Sequence, residues 1–263
     1  MSIVTISRGS YSHGKEVAEK LAQRLGYACI SREILLEASQ HFNIPEIKLS
    51  RAIHDAPSIL DRFTYGKERY IAYIREALMH HFIKDNVVYH GLAGQFFVVG
   101  VPHVLKVRIL ADINDRVAEE VKREGLSADK ARALLLKDDE ERYRWSNYLY
   151  GIDIRDPSLY DLVIHLRSLD IDEAVDLIYT TVRLPRFQTT PESQQAMATL
   201  MLAAQVQAAL VEQIPSAKVG VEGDKIVVTI RGPWDDDKKL IAKVEEISDS
   251  VGGVKVKVRL VSP

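Results

Sequence analysis

A chain of 263 residues, 46% hydrophobic and 27% charged, is long enough for one large domain or for a medium domain beside a small one. Its formal net charge of −2 excludes a global basic field that would draw it onto nucleic acid, so no nucleic-acid partner is expected. The single cysteine, Cys29, excludes a disulfide framework and a Cys-based zinc site; with no signal-peptide pattern and no apolar run of about 18 residues, the expectation is a cytoplasmic protein without a transmembrane segment.

Residues 3–6 form a short apolar run that stops at Ser7-Arg8-Gly9, the pattern of a buried strand. Over 15–25, Val17, Ala18, Leu21, Ala22 and Leu25 recur at helical spacing, and Gly26 closes the helix. A second strand is expected over 27–30 and a helix from about 32 to 40. Residues 41–66, with Pro45 and Pro57, read as short helices and loops, and 67–83 as a clearer helix. Strands follow over 87–89 and 105–111, helices over 113–122 and 127–147, a strand over 160–166 and a helix over 171–182. Strands alternating with helices of this length predict an α/β fold with a parallel sheet covered on both faces, a three-layer arrangement.

Leu184-Pro185 through Pro191 reads as a linker. Beyond it come a helix over 193–213, strands over 218–221 and 225–231 around a Glu222-Gly223-Asp224 turn, a helix over 236–250 and a strand over 254–260. The expected organisation is thus an α/β domain over 1–184, a linker over 185–192 and a small α+β (αββαβ) domain over 193–263.

Gly9-Ser10-Tyr11-Ser12-His13-Gly14-Lys15 has the spacing of a phosphate-binding P-loop, with Glu16 where a Ser or Thr usually follows. Two glycines let such a loop wrap so that backbone N–H groups face phosphate oxygens, and the helix beginning near Lys15 adds its positive end. The alternative is a glycine-containing turn with a solvated lysine. Glu16 stands where the hydroxyl of a common P-loop ligates Mg²⁺; its carboxylate suits the metal directly or through water, but also repels phosphate.

Ile3-Val4-Thr5-Ile6-Ser7-Arg8, the loop to Gly14-Lys15-Glu16 and Val17-Ala18-Glu19-Lys20-Leu21-Ala22 resemble the cytidylate kinase-like family of P-loop proteins. The resemblance continues through Val107-Arg108-Ile109-Leu110-Ala111, Arg116, Asp139-Glu140-Glu141-Arg142-Tyr143 and Tyr160-Asp161-Leu162-Val163-Ile164, covering about residues 1–182. It implies a P-loop NTPase fold of the nucleoside monophosphate kinase kind, with a substrate-binding insertion near 32–84 and a lid near 120–150. The implied reaction moves the γ-phosphoryl of ATP, with Mg²⁺, to CMP or a similar nucleotide substrate.

On that resemblance Lys15 holds the terminal phosphates, Arg116 stacks on the ATP base, and Arg132, Arg142 and Arg144 on the lid close over the transferring group. The same arginines also satisfy surface helix pairs, since Lys137-Asp138-Asp139-Glu140-Glu141-Arg142 sets opposite charges three and four apart. Family members often carry an acidic residue after the second strand and Gly-Arg after the third; here Ser31 and His90-Gly91-Leu92 stand there, where the monophosphate would bind. Arg32, Arg62, Arg69 and Arg75 are candidates for a substrate phosphate, and His90 lies at a strand end beside the loop. These departures leave a second reading open, a nucleotide sensor weak in catalysis and coupled to the C-terminal domain.

Residues 193–263 resemble a BON domain through 219–230, the Gly223 turn and Ser250-Val251-Gly252-Gly253-Val254, which implies a small ligand or lipid there. Val254, Val256, Val258 and Leu260 alternate with Lys255, Lys257 and Arg259, giving one buried and one cationic face, or equally an edge strand guarded by charge. Nine Lys plus Arg against nine Asp plus Glu leave the module neutral. Met197, Leu200, Met201, Ala204, Ala208 and Val211 form an apolar stripe suited to core or to a homodimer face.

Overall fold

A computed structural model of the chain describes residues 1–31, 66–91, 93–232 and 237–261. Of these, residues 1–31 and 84–190 form one compact unit, and residues 66–83 with 191–261 form a second.

The first unit is built on five strands, β1 (Ile3–Arg8), β2 (Ala28–Ile30), β3 (Val87–His90), β4 (Val104–Ala111) and β5 (Leu162–Leu166), ordered β2-β3-β1-β4-β5. Every pairing is parallel, as the strand–helix alternation predicts. β1 is central, and residues 3–7 are buried along it because both its faces are covered. After α1 (Gly14–Leu25) the chain forms α2 (Gly66–Phe82), which lies in the second unit, and then the first unit's α3 (Ile113–Glu124), α4 (Ala128–Tyr150) and α5 (Ile171–Val182). Val17, Leu21 and Ile178 from α1 and α5 pack with Val4, Ile6, Leu105, Val107 and Ile109 of the sheet. Tyr150 of α4 meets Phe96, Phe97 and Trp145, with ring centroids 5.3–5.6 Å apart.

Residues 185–192, expected as a linker, are held onto the first unit up to Thr189. Phe187 is buried in its core, and Thr189 N–H donates to the Met1 carbonyl at 2.8 Å. An aromatic side chain inside the linker supplies the reason: burying a phenyl ring is worth about 1.5–3 kcal/mol.

The second unit contains α2 (Gly66–Phe82), α6 (Pro191–Val211), β6 (Ala217–Glu222), β7 (Lys225–Arg231), α7 (Asp237–Ser250) and β8 (Val256–Val261). Its sheet runs β6-β7-β8, antiparallel and then parallel. Ala203, Val206 and Leu210 of α6 face this sheet. Met197, Met201, Ala204 and Ala208, on the opposite side of α6, are equally buried, and α2 packs on α6. The apolar stripe is therefore interior to the unit rather than a dimer face. The helix expected with the N-terminal domain belongs to the second unit instead, since its buried face of Tyr70, Tyr73, Leu78 and Met79 needs a helical partner.

Candidate functional site

β1 delivers Arg8 to the carboxyl edge of the parallel sheet, and residues 9–13 then turn into α1. Such edges are where open α/β sheets bind ligands. Tyr11 and His13 both adopt left-handed backbone, at φ 53° and 58°. Non-glycine residues there cost about 1–3 kcal/mol each unless the surroundings fix them. The surroundings do: Gly9 N–H donates to the Ile109 carbonyl on β4 at 3.1 Å, and Ser12 Oγ donates to the carbonyls of Gly9 and Ile109 at 3.0 and 3.1 Å. Gly14 is required sterically, because a Cβ on it would lie 2.7 Å from Arg8 Cβ.

Three guanidinium groups converge on this loop. Arg142 of α4 donates through Nε to Ser10 Oγ at 3.0 Å. Arg116 of α3 donates through Nη1 to Asp139 Oδ2 at 2.8 Å, and the same carboxylate accepts the Ser10 N–H on Oδ1 at 2.9 Å. Arg8 lies close enough to Arg142 that burial first, and the charge of Arg142 second, push its pKa down to about 10. Arg142 is likewise lowered by burial, with Asp139 and Asp138 opposing. Both stay cationic at neutral pH. Arg116 is 6% exposed, and among the described residues neither its Nε and Nη2 nor Arg8 Nε finds a hydrogen-bond partner. A buried donor left unpaired costs about 1–3 kcal/mol. This concentration of unsatisfied positive groups is a site suited to a polyanion. Arg123 stacks 4.1 Å over the Tyr11 ring while its guanidinium pairs with Glu120 and Glu124.

The residues expected from sequence fare differently. Gly9, Ser10, Tyr11, Ser12, His13 and Gly14 form the loop, and Arg116 and Arg142 reach it, Arg116 at the loop itself through Asp139. Lys15 and Glu16 open α1, where Lys15 Nζ pairs with Glu19 at 3.6 Å and Glu16 with His13 and Lys20 at 3.6 and 3.9 Å. Arg132 bonds Asn114 on α3, and Arg144 pairs with Glu140 one turn away, so neither joins the loop cluster. Ser31 follows β2, and His90 ends β3 in register with Ile6. Arg75, expected at a substrate phosphate, donates to the Val219 carbonyl at 3.0 Å in the second unit, where it satisfies an edge-strand acceptor. Arg69 there pairs with Glu212. Arg32, Arg62 and Leu92 lie outside the described residues. Sequence reading named neither Arg8 nor Asp139 as a site residue; an arginine placed directly before the first loop glycine was the available signal.

Among the described residues no group of three or more His, Cys, Asp or Glu side chains is arranged to hold a metal, and no helix is long and apolar enough to cross a membrane. Mg²⁺ in phosphate sites needs only one or two carboxylates beside the phosphates, so Glu16 remains compatible with it.

The profile of the cytidylate kinase-like family matches residues 3–168. The chain is 28% identical over 183 residues to a cytidylate kinase of Saccharolobus islandicus, covering 69% of this chain and 91% of that protein. It is 28% identical over 188 residues to a cytidylate kinase of Archaeoglobus fulgidus, covering 70% and 97%. An uncharacterized protein from Eubacterium ventriosum has a similar solved fold, with a TM-score of 0.51 at 22% identity, over 70% of this chain and 99% of that one.

Proposed function

The chain belongs to the cytidylate kinase-like family, and on that premise we propose that it is an ATP-dependent nucleoside monophosphate kinase, transferring the γ-phosphoryl group to CMP or a similar acceptor. The observation that carries this reading is the convergence of Arg8, Arg116 and Arg142 on the loop over residues 9–14, with buried donors that await an anion. Bound Mg²⁺-ATP would supply the phosphoryl group and a divalent charge, with Glu16 as the metal's protein ligand, directly or through water. The chain's own residues supply the rest. Loop amides and Lys15 hold the phosphates, and the arginines neutralise charge spread over the transferring group. Helix α4, as the lid, carries Arg142 to the loop and shields it from water. Ser31 and His90, at the carboxyl ends of β2 and β3, suit the acceptor side.

For the second unit we propose the BON-like reading, with a small ligand or lipid as its partner. Its cations are partly matched, because Arg259 pairs with Glu222 and Lys255 with Asp249. The sensor reading gains from Lys15 being turned to Glu19.

The test is calorimetric titration of Mg²⁺-ATP into wild type and Lys15→Ala, followed by CMP into the complex with a non-hydrolysable analogue. The kinase reading expects ATP affinity at least about tenfold weaker in the variant, the scale of one charge-assisted bond, and CMP binding to the wild-type complex. ATP binding with neither monophosphate binding nor acceptor-dependent turnover favours the sensor. No ATP binding by wild type removes both.

A further inference from the structure

Resting on the phosphate-site reading above, we propose that Asp139 occupies the place of a nucleotide phosphate in the loop and is a built-in competitor that must leave before a triphosphate binds. Its two carboxylate oxygens bridge the Ser10 N–H and the Arg116 guanidinium, at 2.9 and 2.8 Å. A loop amide and a guanidinium are the donor pair that an oxyanion takes at such a turn. The carboxylate is a poor match for that pocket in two respects. It has two oxygens and one charge, whereas Arg116 retains Nε and Nη2 buried without acceptors at 6% exposure. It also leaves Arg8 and Arg142 facing each other, with Arg8 Nε unpartnered. A phosphate, with more oxygens and more charge, satisfies donors that Asp139 leaves open.

Placement makes the exchange specific. Asp139 lies on α4 one turn before Arg142, and Arg142 also bonds the loop through Ser10 Oγ. The same helix therefore presents one carboxylate that holds the loop in the absence of nucleotide and one guanidinium that recognises its arrival. When a phosphate group enters, the Ser10 N–H and Arg116 pass from Asp139 to it, and no proton or bond order changes. Affinity for the nucleotide is lowered by the work of displacing the carboxylate, as for any ligand that must compete with an internal one.

Asp139→Asn keeps the shape and removes the charge. The full-length wild type and variant are titrated calorimetrically with Mg²⁺-ATP and with inorganic pyrophosphate, with circular dichroism confirming that both are folded. The proposal expects both probes to bind the variant about tenfold more tightly, the scale of one charge-assisted hydrogen bond given up on displacement. If the wild type binds both probes and the variant binds them equally or more weakly, Asp139 is a brace for Arg116 and the proposal is overturned while the kinase reading stands. Binding to neither protein overturns the phosphate site and this proposal together. Should the Asn variant not fold, Asp139→Ser is read in the same titration with the same outcomes.

Discussion

Gly14 and Arg8 constrain one another at closest range. The Arg8 side chain runs back over the start of α1, with Cβ, Cγ and Cδ all within 3.3 Å of where a Gly14 Cβ would stand. Gly14→Ala should destabilise the chain by about 1–3 kcal/mol, as overpacking does, and weaken Mg²⁺-ATP binding; thermal denaturation and titration read the two effects. Shortening Arg8 to Ala leaves the 2.7 Å contact with Cβ in place, so the double variant should gain nothing back. Rescue by Arg8→Ala would show that the obstruction is the flexible part of the side chain. The glycines and Lys15 were legible because their spacing is local. Asp139 was not, because it meets Ser10 across 129 residues and charge spacing along α4 fits a surface ladder equally well.

Helices α3, α4 and α5 start on side-chain caps from Asp112, Ser127 and Asp170, and α2 buries a carboxyl group. Asp170 and Glu173 form a reciprocal capping box at the start of α5, with bonds of 2.8 and 2.9 Å. Asp170→Ala should cost about 1 kcal/mol of stability, measured by denaturant titration. Glu76 of α2 is 6% exposed, its Oε2 has no hydrogen-bond partner among the described residues, and burial raises its pKa from 4.5 to about 7. A carboxyl whose folded pKa is raised binds its proton more tightly when folded, so stability falls as pH rises from about 4.5 to about 7 and is flat above. Glu76→Met should remove that descent and leave the variant the more stable of the two at pH 8, by thermal melts across the range. A melting curve for Glu76→Met as steep in pH as wild type would refute the assignment. Helical periodicity located α2 correctly, but it says only that a face is buried, never against what.

At the scale of the molecule, one compact unit ends at Thr190 and the other resumes at Pro191, within the stretch expected as a linker, while α2 joins α6 and the three-stranded sheet. The contact is specific, since Arg69 pairs with Glu212, Tyr73 bonds the same carboxylate, and Arg75 holds the edge of β6. A chain ending at Thr190 should therefore expose Tyr70, Tyr73, Leu78 and Met79 and aggregate, although it retains the whole parallel sheet. A soluble, monomeric truncation by size-exclusion chromatography would contradict this. The parallel sheet itself was legible from strand–helix alternation, because that signal repeats along the chain. The allegiance of α2 was not, because nothing local marks which of two cores an amphipathic helix will join.

That allegiance also sets an order of events on the ribosome. Helix α2 ends at Phe82, while the helix it packs against begins at Pro191. At about 5–20 residues per second, synthesis of the intervening chain takes roughly 5–20 s. Throughout that interval α2 has been made and its partner has not, so the nascent chain spends longest with an uncovered apolar helix in its middle, where a waiting chaperone has most to do.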